Sequence, residues 1–206
     1  MERLIIAPHM DDESLGCGGL IMKHPGECFV LTLADSGPQR EREQAEALAI
    51  LGVTRFHNAG LPDGQLGADQ GALVALIDSW TRRLRPDELY LPFPSLHQDH
   101  IAAYEAGLRS SRVSMSPDHW FPPTVLVYDI AVYDVNLYPT DLRWNVFESL
   151  TEAQADAKAA ACNAYVSEHP PGDHPMNSIK DLARAAGQTR RVAYAEQFAL
   201  VRQVRP

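Results

Sequence analysis

A histidine and three carboxylates stand in one short segment, Pro8-His9-Met10-Asp11-Asp12-Glu13, directly after the apolar run Leu4-Ile5-Ile6-Ala7. Taking a carboxylate out of water is costly unless a positive partner accompanies it. Three of them beside an imidazole, at the end of a strand-like run, ask for a cation, and a divalent metal is the simplest one. A second cluster follows a second apolar run: after Leu89-Tyr90-Leu91-Pro92-Phe93 the chain reads Pro94-Ser95-Leu96-His97-Gln98-Asp99-His100. Strand ends from distant sequence positions converge at one edge of an α/β sheet, so the two clusters can share an ion. The plainer reading of both is helix capping, with Asp12 or Ser14 capping a helix that opens at Leu15 and Asp99 capping one over 101–109. Capping accounts for one carboxylate of the first cluster and leaves the others unexplained.

The elements that must hold these clusters alternate between strand-like and helix-like, which is the signature of a parallel sheet covered by helices. Strands are expected at 3–7, 28–34, 54–58, 88–93 and 124–133. Helices are expected at 41–51, closed by Gly52, and at 71–84, where Leu73, Leu76, Ile77, Trp80 and Leu84 share a face and Pro86 ends the run. Thr151-Glu152-Ala153-Gln154 fits a capping box, and the Ala-rich stretch after it reads as helix to about residue 166. Proline and glycine make 169–175 a loop, with His174 in it. A final helix is expected to start near Ser178, weaken at Gly187 and resume over 192–200. The expected fold is therefore α/β, a single-domain Rossmann-like three-layer sandwich over residues 1–206 with a mostly parallel sheet. The glycines at 16, 18 and 19 do not follow the dinucleotide spacing, and carboxylates precede them where a pyrophosphate would sit. They predict close packing of a helix on the sheet.

Composition narrows the partners. A chain of 206 residues with 45% hydrophobic content suits one substantial core. Its net charge of −9 argues against nucleic acid, which is bound through clustered Lys and Arg. No run approaches the roughly 20 apolar residues of a membrane span, and the first residues carry no secretory pattern, so a cytoplasmic protein is expected. Cys17, Cys28 and Cys162 are scattered and form no Cys-x-x-Cys, which points to buried free thiols. Oligomeric state stays open, a homo-oligomer included.

Taken together, the two clusters, the segment Leu15-Gly16-Cys17-Gly18-Gly19, Arg40 and Glu43 ahead of Leu51-Gly52-Val53, Gly60-Leu61-Pro62-Asp63-Gly64 and Tyr194-Ala195-Glu196-Gln197-Phe198 resemble the PIG-L/LmbE family of zinc-dependent N-deacetylases. Two positions depart from that pattern: Met10 follows the first histidine where the family usually has proline, and Gln98 stands where proline is common in the second motif. Neither change removes a metal-binding or proton-transferring atom. The resemblance implies a Zn2+ ion, with Fe2+ or another divalent metal as the alternative, held by His9, Asp12 and His100. It also implies that Asp11 is the general base. His97 is the candidate for a positive imidazole that stabilises the oxyanion, with Asp99 orienting it and raising its basicity. Return of the proton to the leaving amine is open between His97 and Asp11. Glu13 is open between a hydrogen bond to a ligand and plain solvent exposure.

Other loops at the same sheet edge should line a substrate pocket, which places Arg40 and Asp63 to hydrogen-bond sugar hydroxyls. The loop over 114–123, with His119, Trp120 and Phe121, is expected to supply an aromatic platform or a satellite hydrophobic cluster. The function expected is removal of an N-acetyl group from a small sugar conjugate of the N-acetylglucosamine type, giving acetate and an amine. The alternatives are metal-dependent hydrolysis of another amide or an ester, and a non-catalytic α/β binding module whose carboxylates only cap helices.

Overall fold

The computed structural model describes residues 1–130, 139–169 and 178–205. In chain order the elements are β1 (Arg3–Ala7), α1 (Asp12–Lys23), β2 (Cys28–Asp35), α2 (Gly37–Ile50), β3 (Phe56–Pro62), α3 (Gln70–Leu84), β4 (Glu88–Pro92), α4 (Gln98–Ser110), β5 (Thr124–Tyr128), β6 (Trp144–Leu150), α5 (Glu152–Asn163), α6 (Ser178–Gln188) and β7 (Tyr194–Gln203). One seven-stranded sheet has the order β3-β2-β1-β4-β5-β7-β6. The five strands from β3 to β5 are parallel, and β7 runs antiparallel to both of its neighbours. From β1 the chain winds outward to β2 and β3, then returns to place β4 on the other side of β1. That reversal is a topological switch point, where α/β proteins bind ligands beyond the carboxyl ends of their strands. His9 follows β1 and His100 follows β4, so both chemical clusters leave the sheet there.

Alternate side chains of the buried strands feed two apolar layers. On one face Ile5, Val30, Tyr90, Leu126 and Phe198 pack with Leu15, Leu20 and Ile21 of α1, Leu48 of α2 and Cys162 of α5. On the other Leu4, Ile6, Leu31, Leu89 and Val125 pack with Leu73 and Ile77 of α3 and Ala103 and Ala106 of α4. All three cysteines are buried and free. The glycines of α1 let the helix lie close to its neighbours: a Cβ on Gly16 would come within 2.1 Å of the Tyr128 ring, and one on Gly19 within 2.3 Å of Leu150. The expected capping box is present, with Thr151 and Gln154 bonding each other's backbone at the start of α5. No helix of the described residues is long and apolar enough to cross a membrane.

Three expectations fail, each for an identifiable reason. Residues 192–200 were expected to be helical, yet Tyr194–Gln203 form β7. This strand lies between β5 and β6, and its first half is buried on both faces, so it lacks the alternation that marks a one-sided strand. Its Ala, Glu, Gln and Leu content then reads as helix former. β6 was not anticipated at all, because a partly exposed edge strand carries a weak pattern. β3 was expected to end at residue 58 but runs on through Gly60 to Pro62; the register against β2 shifts between Thr32 and Ala34, and Gly60 takes φ +68° at this bulge. The last part of the strand expected over 124–133 and most of the loop over 169–175, His174 included, lie outside the described residues.

The layers are locked by a buried ion pair. Lys158 of α5 donates to Glu196 of β7 at 2.6 Å, and the same carboxylate accepts from Gly19 N and Leu20 N of α1, each at 2.7 Å. Burial pulls the Lys158 pKa down, but the Glu196 charge outweighs it and the net shift is upward. The pair's contribution is thus fully present below the ordinary lysine pKa and is lost as pH rises through the raised one. Lys158→Met leaves Glu196 without a counter-charge, and the expected loss of unfolding free energy is about 3–5 kcal/mol by urea denaturation at neutral pH. A loss under about 1 kcal/mol would show that the pair does not hold these elements.

Candidate active site

β1 ends in Ala7, and the turn at Pro8-His9-Met10 brings Asp12 back under His9, whose backbone N–H donates to Asp12 Oδ2 at 2.9 Å. From the other side of the switch point, α4 starts at Gln98 with His97 as its N-cap, and the His97 Nδ1 accepts the Asp99 backbone N–H at 3.2 Å. This delivers His100 from the first turn of α4 to a fully buried position beside Asp12. His9 Nδ1 lies 3.4 Å from Asp12 Oδ2, His100 Nε2 lies 3.4 Å from the same oxygen, and the two nitrogens are 3.3 Å apart. Ligand atoms at the usual zinc bond lengths on a tetrahedral ion stand about 3.3 Å from one another. The donor set and its spacing therefore fit such an ion.

The surrounding bonds prepare each donor atom. His9 Nε2 is 3.2 Å from both Asp99 Oδ2 and Asp63 Oδ1. A ring N–H donated there leaves Nδ1 bare toward Asp12. Ser95 Oγ lies 3.2 Å from His100 Nδ1, and an Nδ1–H donated to it leaves Nε2 bare in the same way. Burial disfavours the charged form of Asp12, but His100 and His9 overcome it and hold its carboxyl below the usual range. Burial likewise opposes a proton on His9, while the bond and charge of Asp12 with the charges of Asp63 and Asp11 raise its pKa to about 9. The carboxylates around the ring favour an added proton on it, so the cluster demands positive charge.

Capping does not explain the first cluster, since Asp11 is the N-cap of α1 and makes no side-chain cap bond. Instead Asp11 Oδ2 accepts from Arg40 Nη2 at 3.1 Å, and its backbone N–H donates to Glu13 Oε2 at 3.2 Å. Burial pushes the Asp11 carboxyl well above the usual range, and the Asp12 charge adds to this while Arg40 opposes it. Glu13 is wholly buried, so the solvent-exposed alternative is wrong; it bonds the Asp11 backbone, Ser14 Oγ and the Tyr165 hydroxyl. His9, Asp11, Ser36, Arg40, Asp63, His97 and Glu168 line a polar cavity of about 250 Å³. A larger cavity, of about 450 Å³ between α1, α6 and β7, contains none of the clustered residues.

Four expectations for the site change. The Asp99 carboxylate does not orient His97; it accepts from Gly64 N at 2.7 Å and Leu66 N at 3.0 Å and faces His9. Asp99 thus anchors the loop after β3, and Gly64, at φ +72°, makes the turn that brings its amide there. His97 is not the expected cation, because burial, with the neighbouring imidazoles of His9 and His100 adding to it, lowers its pKa. With Nδ1 accepting from the backbone, a neutral ring carries its proton on Nε2. Arg40 is not a free donor for sugar hydroxyls, since its terminal nitrogens meet Asp11 and Glu168 at 3.1 Å each. Asp63 is the open one, its side chain about half exposed (53%). The loop over 114–123 leads into the amino end of β5, away from this edge, and Trp120 donates to Pro86 O. Ser95, Tyr165 and Glu168 were not singled out in the sequence, where nothing local marks them. The unusual Gln98 donates to Gly64 O at 2.7 Å, so it holds the same loop as Asp99.

Residues 4–111 match the family described as PIG-L, GlcNAc-PI de-N-acetylase, and the chain belongs to this family. It is 24% identical over 179 residues to the uncharacterized deacetylase YaiS of Escherichia coli strain K12, an alignment that covers 80% of this chain and 90% of YaiS. Among solved structures, the conserved protein TT1542 of Thermus thermophilus aligns with a TM-score of 0.78 at 28% identity, over 100% of this chain and 97% of that one. The N,N'-diacetylchitobiose deacetylase of Pyrococcus horikoshii shares the fold with a TM-score of 0.77 at 19% identity, over 97% and 83% of the two chains.

Asp99→Ala removes the acceptor of two loop amides and the partner of His9 at once. The expected result is a loss of about 2–4 kcal/mol in unfolding free energy, from buried donors left unpaired, with faster hydrogen exchange at Gly64 and Leu66. Unchanged exchange at both amides would contradict the anchoring role.

Proposed function

We propose that this member of the family is a zinc-dependent N-deacetylase that hydrolyses the acetamido group of a small sugar conjugate of the N-acetylglucosamine type. The observation that carries the reading is the triangle of His9 Nδ1, Asp12 Oδ2 and His100 Nε2, with sides of 3.3 to 3.4 Å. These three residues would hold the ion, and Fe2+ suits the same donors. A divalent ion there supplies the charge that acidifies a water to near neutral pH and polarises an amide carbonyl.

The chain's own groups supply the rest. Asp11 faces the cavity from beside the ligand set and takes the proton of the attacking water. The Nε2–H of His97 donates to the oxygen of the former carbonyl as it gains charge. Because that ring is neutral, the proton for the leaving amine comes from Asp11, which has just received one. Asp63, half exposed at the rim, accepts from a sugar hydroxyl, and Arg40 keeps the Asp11 carboxylate turned inward. The polar lining suits a sugar better than an apolar acyl chain, and relatives named as deacetylases, one of them acting on diacetylchitobiose, agree with that choice.

Metal analysis together with acetate release from N-acetylglucosamine conjugates, set against O-acetyl esters, tests the proposal. Removing metal with a chelator is expected to abolish acetate release, and returning Zn2+ or Fe2+ to restore it. Asp12→Ala is expected to lose the metal. Asp11→Asn should keep it while kcat falls by about 10²- to 10⁴-fold. Acetate release that survives complete metal removal, or an Asp11→Asn variant working at the normal rate, would refute the mechanism.

A further inference from the structure

Two of the contacts that hold Asp11 lead to one residue outside the cavity. Its carboxylate accepts from Arg40 at 3.1 Å, and its backbone N–H is shared between Glu13 at 3.2 Å and His9 O at 3.1 Å. The Tyr165 hydroxyl donates to the other oxygen of that Glu13 carboxylate at 2.5 Å, and the Arg40 guanidinium lies 5.3 Å above the Tyr165 ring. Asp11, Arg40, Tyr165 and Glu13 thus close a ring of contacts. Tyr165 is fully buried, does not line the cavity and lies beyond residue 111, where the family match ends.

The segment that carries Tyr165 is itself fastened. It joins the end of α5 to a 3-10 turn at Val166–Glu168. There Ser167 donates through its backbone N–H and its hydroxyl to the two oxygens of Glu43 on α2, at 3.0 and 2.5 Å. The same turn places Glu168 against Arg40. The ring of Tyr165 fills the apolar layer between α1, α2 and α5, and a phenylalanine would fill it equally well. The hydroxyl is therefore not required for packing; its use is to fix the Glu13 carboxylate that takes the Asp11 amide.

We propose that Tyr165 is a positioning residue for the general base, holding Asp11 through Glu13 and Arg40, an inference that rests on the assignment of Asp11 as base. Without the hydroxyl, that Glu13 oxygen loses its shortest side-chain bond and keeps the one from Ser14, the carboxylate is held less firmly, and the Asp11 amide leans on its other acceptor, His9 O. Misplacement of a reacting group by about 1 Å costs on the order of 10²-fold in rate. Tyr165→Phe is expected to lower kcat by about 10- to 100-fold, with KM and bound metal unchanged.

The decisive measurement is a double-mutant cycle with acetate release as readout and metal content and urea unfolding as controls. If Tyr165 acts through Asp11, Tyr165→Phe has little further effect on the residual rate of Asp11→Asn, since groups working as one unit are non-additive. Glu13→Gln gives an independent arm and should show the same dependence on Asp11, should Tyr165→Phe fold poorly. A kcat within about twofold of normal in both variants, or an equal fractional loss in the Asp11→Asn background, would overturn the role. Asp11→Asn at full rate would remove the base assignment itself, and that result is read on Asp11 alone, before position 165 is changed.

Discussion

A carboxylate at the bottom of the site is the constraint around which the rest is arranged. Asp12 is almost fully buried and ionised, and the groups that make this tolerable are the imidazoles of His9 and His100. Two of these three residues come from the β1 end and the third from the β4 end, so the cluster can exist only if β1 and β4 are adjacent. The sheet order provides that adjacency at the switch point. Excess negative charge is the other side of the constraint: with Asp11, Asp63 and Asp99 close by, a positive charge is stable there, and this together with the spacing is the basis of the metal site proposed above.

Around this centre the orienting groups are drawn from separate layers. Asp99 and Ser95 belong to the second cluster and set the two histidine rings, while Gln98 and Asp99 fasten the loop that presents Asp63. The bulge at Gly60 carries β3 far enough for that loop to reach the site. On the opposite side, Arg40, Glu13 and Tyr165 tie Asp11 to α2 and α5. The histidine rings and the Asp11 carboxylate are thus oriented by side chains from different elements, although His9, Asp11 and Asp12 share one segment.

The sequence showed the centre better than its surroundings. Both clusters, the parallel sheet and the convergence of residues 9, 12 and 100 were legible because strand ends in an α/β fold gather at one edge and because adjacent carboxylates have no cheap packing explanation. The destinations of individual carboxylates were not legible. Asp99 lies two residues from His97, but the helix that begins between them turns its side chain toward the 64–66 loop instead. Arg40 reads as a free cation until Asp11 and Glu168 are seen beside it. Tyr165 carries no local signal, since its partner is 152 residues away in sequence. β7 was misread because a strand covered on both faces loses the period that sequence reading depends on.

The position of β7 also sets an order of assembly. Although it follows every other described strand in the chain, it lies between β5 and β6. β6 therefore has no sheet partner until β7 arrives, and the side of β5 away from β4 stays unpaired until then. The counter-ion of Lys158 arrives on the same strand. Translation must deliver residues 194–203 before these edges can close, so the nascent chain carries an open sheet edge and a lysine without its buried partner until almost all of the described sequence has been made.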